Sequence, residues 1–524
     1  MPDPDLNQAL ARNAPELEPT LQRIAGLAPA PAWAVGGLVR DLLAGRSPAD
    51  IDLAIDGPPR AFAEAIAAYV GGSPFPLDEE RGAYRIALPS PLPLMREGPG
   101  VGVIDVSPLR GPTIEADLAA RDFTIDAMGA ALSPAGLGPL IDPTGGRDDL
   151  RRSRVRMTSA SALDEDPLRL LRAVRLATEL GFAIESTTAA AIRERAPRLL
   201  EAAGERQREE VVRLFASSDA ARGLRLLDAT GLLDVLFPES AAGRGVEQPG
   251  DYHYYDVLDH GIEAVAVLDG LLSGANEQRP SPREGRHKTR MAPKLPAMRD
   301  GFSRTLARFP LAAYFTEAVG GHSRLVLTKL ATFLHDVSKP ETRTTDASGR
   351  VRFLGHPEKG AAVARAVCRR LRFGNRETAF VLRLVEEHLR PAQLSQSGAP
   401  TERAIFRFFR DAGEAAPAVL VLSLADAASA VGPRLTAARW QAQCNYVAYV
   451  LERGLGQALT EPFGGGKRHF VSGDTLIREL DLVPGPNVGR LLAAIDEAAA
   501  GGELTTREEA IDLARTLNQG GPPA

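Results

Sequence analysis

A chain of 524 residues is too long for one ordinary hydrophobic core, so two to four domains are expected. Hydrophobic residues at 44% and aromatics at 5% favour a mostly helical chain over a β-rich one. A formal net charge of -5 excludes a generally basic nucleic-acid binder but leaves room for a local basic surface.

In chain order, Pro19 to Ala25 reads as a helix with proline in its first turn. Trp33 to Val35 is apolar and β-prone. Gly36-Gly37 breaks it and lets a ligand approach bare backbone, and Val39 to Leu43 suits a short helix. In Asp50-Ile51-Asp52-Leu53-Ala54-Ile55 the alternation puts Ile51, Leu53 and Ile55 on one strand face and Asp50 and Asp52 on the other. Two carboxylates one pleat apart, beside a turn of free amides, suit divalent metal and a triphosphate. Arg60 to Val70 reads as a helix, Ala83 to Leu88 and Val101 to Val106 as strands. Asp105 in the last strand is either a third carboxylate or a polar strand-end residue. In Arg121-Asp122-Phe123-Thr124-Ile125-Asp126-Ala127-Met128, Arg121 can fork onto phosphate and Asp122 can accept from ribose hydroxyls; an ion pair at a strand start is the plainer reading. Leu140 to Leu150 holds a Pro-Gly-Gly turn.

Next comes Glu165-Asp166-Pro167-Leu168-Arg169 through Arg175. Pro167 suits the first helical position, with Asp166 as N-cap, Leu170, Val174 and Ala177 as the apolar stripe, and Gly181 as the stop. Asp166 and Arg169 are neighbours on one face, and Arg172 and Arg175 extend a positive band.

Together, Gly36-Gly37-Leu38-Val39-Arg40-Asp41 with Asp50-Ile51-Asp52 resembles the nucleotidyltransferase superfamily that includes DNA polymerase beta. With the Arg121-Asp122 and Asp166-Arg169 runs, the resemblance narrows to the class II tRNA nucleotidyltransferase (CCA-adding enzyme)/bacterial poly(A) polymerase family. It implies that Asp50 and Asp52 are catalytic and hold Mg2+, and that Gly36, Gly37 and Arg40 meet the triphosphate. It further implies that Arg121 and Asp122 meet phosphate and ribose, and that Asp166 and Arg169, with Arg172 and Arg175 alongside, bind the nucleotide and read C or A at its base edge. Two positions depart from the family pattern: Ala120 stands where arginine is usual, and Asp126 where asparagine is usual. The segment from Ser107 to Ala120 is short, as in members that add only CC.

Glu205 to Leu214 reads as a charged amphipathic scaffold helix, and Leu224 to Leu236 as a helix pair. Gly270 to Gly301 is polar, basic and without period, a disordered insertion at about 272–300. Around it stand His260, His335-Asp336, His356, His388 and Asp426, an order that resembles the HD phosphohydrolase domain. Imidazoles and carboxylates from several helices can bind an unidentified divalent metal. His260, His335, Asp336 and Asp426 are the first choice, with His356 and His388 as further candidates. Two short amphipathic helices, with Thr505 as a cap, close the chain.

The expected fold class is α+β: a small polymerase-beta-like mixed-sheet head, then a mostly α-helical neck, HD body and tail. The expected divisions are an N-terminal extension at 1–29, the head at 30–150, the neck at 151–240, the HD-like region at 241–440 and the tail at 441–524. The expected activity is addition of C and/or A from CTP and ATP to the tRNA 3′ end by two-metal phosphoryl transfer. The rivals are a poly(A) polymerase, and an HD phosphodiesterase with an RNA-binding head. Cys368 and Cys444 read as buried helix residues, not a disulfide or zinc set. No signal peptide and no uninterrupted apolar run of bilayer length is evident, so a cytoplasmic enzyme without membrane or obligate protein partner is expected.

Overall fold

The structure, a computed structural model, describes residues 5–78, 82–92, 101–249, 253–272, 294–395, 398–458 and 470–519. Two units emerge: one holds the residues up to Glu210 with Leu226–Leu236, the other Val211–Arg225 and most of the chain from Phe237 onward.

The first unit is built on seven strands: β1 (Ala32–Val35), β2 (Asp50–Ile55), β3 (Ser73–Asp78), β4 (Ala83–Leu92), β5 (Val101–Pro108), β6 (Gly129–Ser133) and β7 (Gly136–Ile141). Their order is β3-β4-β5-β2-β1-β6-β7. The β2–β5 pair is parallel, while its neighbours in the sheet pair antiparallel. Ile51, Leu53 and Ile55 are buried with Phe62, Ile66, Ile86 and Ile104 in one core, which leaves Asp50 and Asp52 on the opposite face. On that face Ala54 is covered by Ile114 and Leu118.

The first thirty residues hold two helices, Leu6–Asn13 and Leu17–Leu27, where one was expected. Asp5 caps the first by accepting from the Asn7 N–H at 2.9 Å. Leu6, Leu10, Leu17, Leu21 and Ile24 belong to the same core as the sheet, so this segment is part of the first unit and not a loose extension. Asn7 also serves the edge strand β7: its Nδ2 donates to the Leu137 carbonyl and its Oδ1 accepts from the Leu137 N–H, both at 2.8 Å. That satisfies backbone groups which an open edge would present to other chains.

The second unit is helical, and five of its helices carry the HD-like residues: Val257–Leu272, Arg324–Leu334, His356–Arg370, Asn375–Glu387 and Ala416–Val431. The expected insertion at about 272–300 falls largely on 273–293, outside the described residues. Its last part is ordered as the helix Leu295–Leu306, whose Met298, Phe302 and Leu306 recur every four residues and are buried. Glu402–Arg434 is long and apolar enough to cross a membrane by length and composition, with mean hydropathy 1.6. However, 78% of that window is buried in the protein's own interior, which marks a core segment. Both cysteines are buried and free, and burial pushes each thiol up to about 12, so both are inert at neutral pH.

Among the described residues from 470 onward stand three helices, Gly473–Leu480, Pro486–Ala500 and Arg507–Gln519, around Leu476, Leu491, Ile495 and Ala510. Two had been expected. The last is capped one residue later than expected. Thr506 Oγ1 accepts from the Glu509 N–H at 3.2 Å, and the Glu509 carboxylate accepts from the Thr505 and Thr506 N–H groups.

Candidate active site and metal centre

At the end of β1 the chain turns through Gly36 at φ +64° into the helix Gly37–Leu43. The Gly37 N–H donates to Asp52 Oδ2 at 3.1 Å. A Cβ at Gly36 would lie 3.0 Å from Arg121 Nη1 and 3.2 Å from Asp52 Oδ2; one at Gly37 would lie 3.2 Å from that same oxygen. The two glycines therefore keep open a cradle where backbone amide, carboxylate and guanidinium converge.

Asp50 and Asp52 flank this cradle on β2, and the parallel register of β5 sets Asp105 directly opposite Asp52. Burial, and after it the Asp105 charge, push the Asp52 carboxyl up to about 6 against the pull of Arg121. A group that holds its proton this tightly among other carboxylates suits a cation as counter-charge, which is the chemistry a metal-binding pair needs. Asp105 is itself gripped by Arg85, Nε to Oδ1 and Nη2 to Oδ2, both 2.8 Å. That grip is the ion-pair reading of Asp105 and limits its freedom as a third ligand.

Three expected nucleotide contacts are held by oppositely charged partners. Arg40 lies between Asp41, at 3.0 Å, and Asp126, at 2.5 Å. The aspartate that departs from the family pattern thus anchors the arginine expected at the triphosphate. Arg121 leans on buried Asp117 through Nε at 3.2 Å and Nη2 at 3.1 Å. Asp122 accepts from Arg172 Nη1 at 2.9 Å and from the Phe123 N–H at 3.0 Å. Burial opposes ionisation of Asp122, but the Arg172 charge prevails and holds it down to about 2.

The turn from Asp142 to Leu150 does more than reverse the chain. Asp142 accepts from the Gly146 and Arg147 N–H groups at 2.7 and 3.0 Å, while Asp149 accepts from Thr124 Oγ1 at 2.8 Å and Arg156 Nε at 2.7 Å. A Cβ at Gly146 would sit 2.0 Å from the Thr124 carbonyl oxygen. This motif therefore props the Arg121–Asp126 segment from below.

Pro167 precedes the helix Leu168–Leu180 and does not open it. Asp166, extended, accepts from the Leu168 N–H at 3.1 Å, so the capping role expected of it is performed from one residue further out. Its other oxygen takes Arg206 Nη2 at 2.6 Å. Arg169 is buried, donates to the Ala162 carbonyl at 2.7 Å and pairs with Glu165 at 3.1 Å. Arg172 reaches Asp122, which brings the Leu168–Leu180 helix to the Arg121-Asp122 run. Arg175 points elsewhere: it is locked between Glu210 at 2.5 Å and Glu179 at 2.6 Å, with both Arg175 and Glu210 buried. The expected positive band therefore ends at Arg172. Glu210→Ala removes one of the two carboxylates that hold the buried Arg175 guanidinium and is expected to destabilise the first unit by about 1.5–3 kcal/mol. A fall in its thermal unfolding midpoint checks this.

Sequence reasoning missed Asp117, Glu210 and Arg206. Asp117 lay four residues before Arg121 on a short helix, a signal of an i,i+4 pair. Glu210 and Arg206 gave none, since each meets its partner across 35 or more residues.

In the second unit, His260, His335, Asp336, His356, His388 and Asp426 converge. His260 Nε2 faces His335 Nε2 at 3.2 Å, and His356 Nε2 faces His388 Nε2 at 3.3 Å. Asp336 sits between the pairs: Oδ2 is 3.2 Å from His335 and 3.4 Å from His260, and Oδ1 is 3.2 Å from His356 and 3.7 Å from His388. Asp426 Oδ1 adds to the first pair, 3.1 Å from His260.

The Nδ1 contacts assign the tautomers. His335, His356 and His388 each place Nδ1 2.7 Å from a backbone carbonyl, of Thr332, Phe353 and Val385. A carbonyl only accepts, so Nδ1 carries the proton. Ser429 Oγ donates to the Asp426 carbonyl and so accepts from His260 Nδ1 at 3.1 Å. In the neutral rings all four Nε2 atoms are then bare lone pairs turned on one another, an arrangement that a cation resolves. Lys339 Nζ, 2.6 Å from Asp336 Oδ2 and 2.6 Å from Gln248 Oε1, and the His253 ring against His260 complete the surroundings. Gln248 and His253 were not foreseen.

Comparisons with known proteins match three stretches of the chain. Residues 32–90 match the Poly A polymerase head domain, 181–243 the probable RNA and SrmB-binding site of polymerase A, and 302–431 the HD domain. The chain is 35% identical to the A-adding tRNA nucleotidyltransferase of Deinococcus radiodurans over 92% of this chain and 94% of that one. It belongs to the tRNA nucleotidyltransferase family. The CC-adding member from Thermus thermophilus is 34% identical over 92% of each chain. Among solved structures, the Thermotoga maritima CCA-adding enzyme complexed with tRNA_CCA aligns with TM-score 0.55 at 19% identity, covering 98% of both chains. The Bacillus stearothermophilus CCA-adding enzyme in complex with CTP aligns at 0.57 and 21%, covering 97% of this chain and 99% of that one. At that identity the likeness concerns the fold, and the mixed-sheet head with a mostly helical remainder is the fold expected from the sequence. A nucleotidyltransferase with an HD domain depends in general on divalent metal.

Proposed function

We propose that this chain adds C and/or A from CTP and ATP to the 3′ end of tRNA, in the cytoplasm and without a second protein. The observation that carries the reading is the cradle in which Asp52, with Asp50 beside it on the same strand face, meets the Gly37 amide and Arg121. Asp50 and Asp52 hold magnesium, which when bound acidifies the terminal 3′-hydroxyl and neutralises the leaving pyrophosphate. Gly36 and Gly37 let the triphosphate lie against bare backbone. Arg121, braced by Asp117, supplies positive charge beside the carboxylates. Asp122, kept ionised by Arg172, accepts from the ribose hydroxyls. Asp166 and Arg169 read the base: a carboxylate accepts from an exocyclic amine, and a guanidinium donates to ring nitrogen or carbonyl oxygen. Uracil lacks the amine and guanine lacks a matching pattern, so only C and A satisfy both groups. Arg40, anchored by Asp41 and Asp126, positions the Gly37–Leu43 helix and meets phosphate from there.

Product length decides between this reading and a poly(A) polymerase. Incubation with tRNA lacking its last three nucleotides is expected to stop at or before three additions; long A tracts would contradict it. A second assay concerns the short segment from Ser107 to Ala120, which gives the pocket little freedom to re-aim Asp166 and Arg169. Addition of A to tRNA ending in CC is expected to be slower than addition of C to tRNA lacking all three nucleotides, and equal rates would refute this.

The bare Nε2 pairs favour a second activity. His260, His335, Asp336 and Asp426 hold one divalent cation and His356, His388 and Asp336 a second, as a metal-dependent phosphohydrolase centre. Metal bound there lowers the pKa of water for attack on a phosphoester.

A further inference from the structure

The second unit carries a cluster of arginines that neither site uses. Between residues 359 and 383 stand Lys359, Arg365, Arg369, Arg370, Arg372, Arg376 and Arg383 against a single acid, Glu377, in a chain whose net charge is -5. Glu377 is itself buried and spent on His322 and the Gly374 and Gly321 N–H groups. Arg365, Arg369 and Arg372 follow one another at i, i+4 and i+7 and are exposed, as is Arg376 just beyond. Arg365, Arg369 and Arg372 line a surface groove of about 520 Å³ whose other walls are Ala362, Ala366 and Arg370. A second groove of about 330 Å³ shares Arg365 with it and is lined also by Asn375, Arg383 and Glu386, the last two paired at 3.4 Å.

Some exposed arginines of this chain are paired, as in Arg60–Glu64 and Arg515–Asp512. Here Arg370 is clamped by Glu239, Nη1 and Nη2 at 2.7 and 2.9 Å, while Lys359 pairs with Glu341 at 2.9 Å and Arg383 with Glu386 at 3.4 Å. Arg365, Arg369 and Arg376 make no salt bridge among the described residues. Like charges at i,i+4 repel and weaken a helix, so this density calls for a counter-charge from outside. A His356–Arg370 helix that wanted cations only to complement its dipole would place them in its last turn, whereas Arg365 lies well before it.

We propose that the first of these grooves binds the phosphodiester backbone of RNA. Arginine forks match phosphate oxygens, and Ala362 and Ala366 leave room for a strand to approach the helix. No aromatic side chain lines either groove, so there is no platform for stacking bases, and the contact is to backbone and independent of sequence. The inference rests on the RNA substrate proposed above and adds a phosphate-holding surface on the second unit.

The test compares the full-length protein with Arg365→Ala/Arg369→Ala, using a tRNA transcript lacking its last three nucleotides as probe across a salt titration. Loss of two phosphate contacts is expected to weaken binding about tenfold and to reduce the slope of log K against log salt by about 1.4–1.8. Arg365→Lys/Arg369→Lys is expected to restore most of the slope, which a merely structural role would not do. Transfer at saturating tRNA reports the enzymatic reading separately and is expected to stay unchanged. Unchanged affinity and slope in the alanine variant would overturn the proposal. So would a loss confined to binding of polyglutamate, which would assign the groove to an acidic protein.

Discussion

Asp52→Ala is expected to lower nucleotide incorporation by on the order of 10³-fold or more, equivalent to about 4 kcal/mol of transition-state stabilisation. Its carboxylate touches the glycine turn, faces Arg121 and stands opposite Asp105. The fold should survive, because Asp52 lies off the core face on which Ile51 and Leu53 are buried. Unchanged circular dichroism and a retained HD-site metal content are the controls. Near-wild-type incorporation would remove Asp52 from the chemistry. The raised carboxyl adds a pH signature. Burial and the Asp105 charge favour the protonated form below about 6, and a proton there competes with the cation. The magnesium concentration for half-maximal rate should therefore rise as pH falls through about 6.

The second large effect is at Asp336. It faces all four histidines, one oxygen to each pair, so its removal should empty both cation positions while His388→Ala empties one. Metal analysis of purified protein is expected to give two equivalents for the wild type, one for His388→Ala and none for Asp336→Ala. Any metal-dependent phosphodiester hydrolysis should disappear with Asp336→Ala, and nucleotide addition should remain within about twofold, because the ligands lie in a different compact unit. Parallel loss of both activities would point to one shared site, and undiminished metal in Asp336→Ala would contradict the ligand set.

How much of this could be read beforehand follows from the range of the forces involved. The face shared by Asp50 and Asp52 was legible because strand alternation and a buried Ile51-Leu53-Ile55 row require each other. The HD ligands were legible as an order of residue types, but not the pairing of His260 with His335 and of His356 with His388, which depends on how five helices pack. The Leu6–Asn13 helix was missed although Asp5 and the Leu6, Leu10 spacing signal it. The Leu295–Leu306 helix was hidden behind an aperiodic basic run, with Met298, Phe302 and Leu306 as the spaced apolar residues that mark it. Arg175 was misread for a different reason. Its sequence neighbours are arginines on a helix that touches the site, and only the fold brings Glu210 to neutralise it. The same holds for Arg40 and Asp126, where a departure from the family pattern gained meaning once the two were seen 2.5 Å apart.

The most direct measurement incubates purified protein, magnesium and a tRNA lacking its last three nucleotides with each labelled nucleoside triphosphate separately and with CTP and ATP together. The expected result is incorporation of C at the 3′ end, extension with A no further than the third position, and negligible use of UTP and GTP, all abolished in Asp52→Ala. No incorporation of any nucleotide, or incorporation of U and G as readily as C, would contradict the assignment of the Asp50–Asp52 cradle and the Asp166–Arg169 pair.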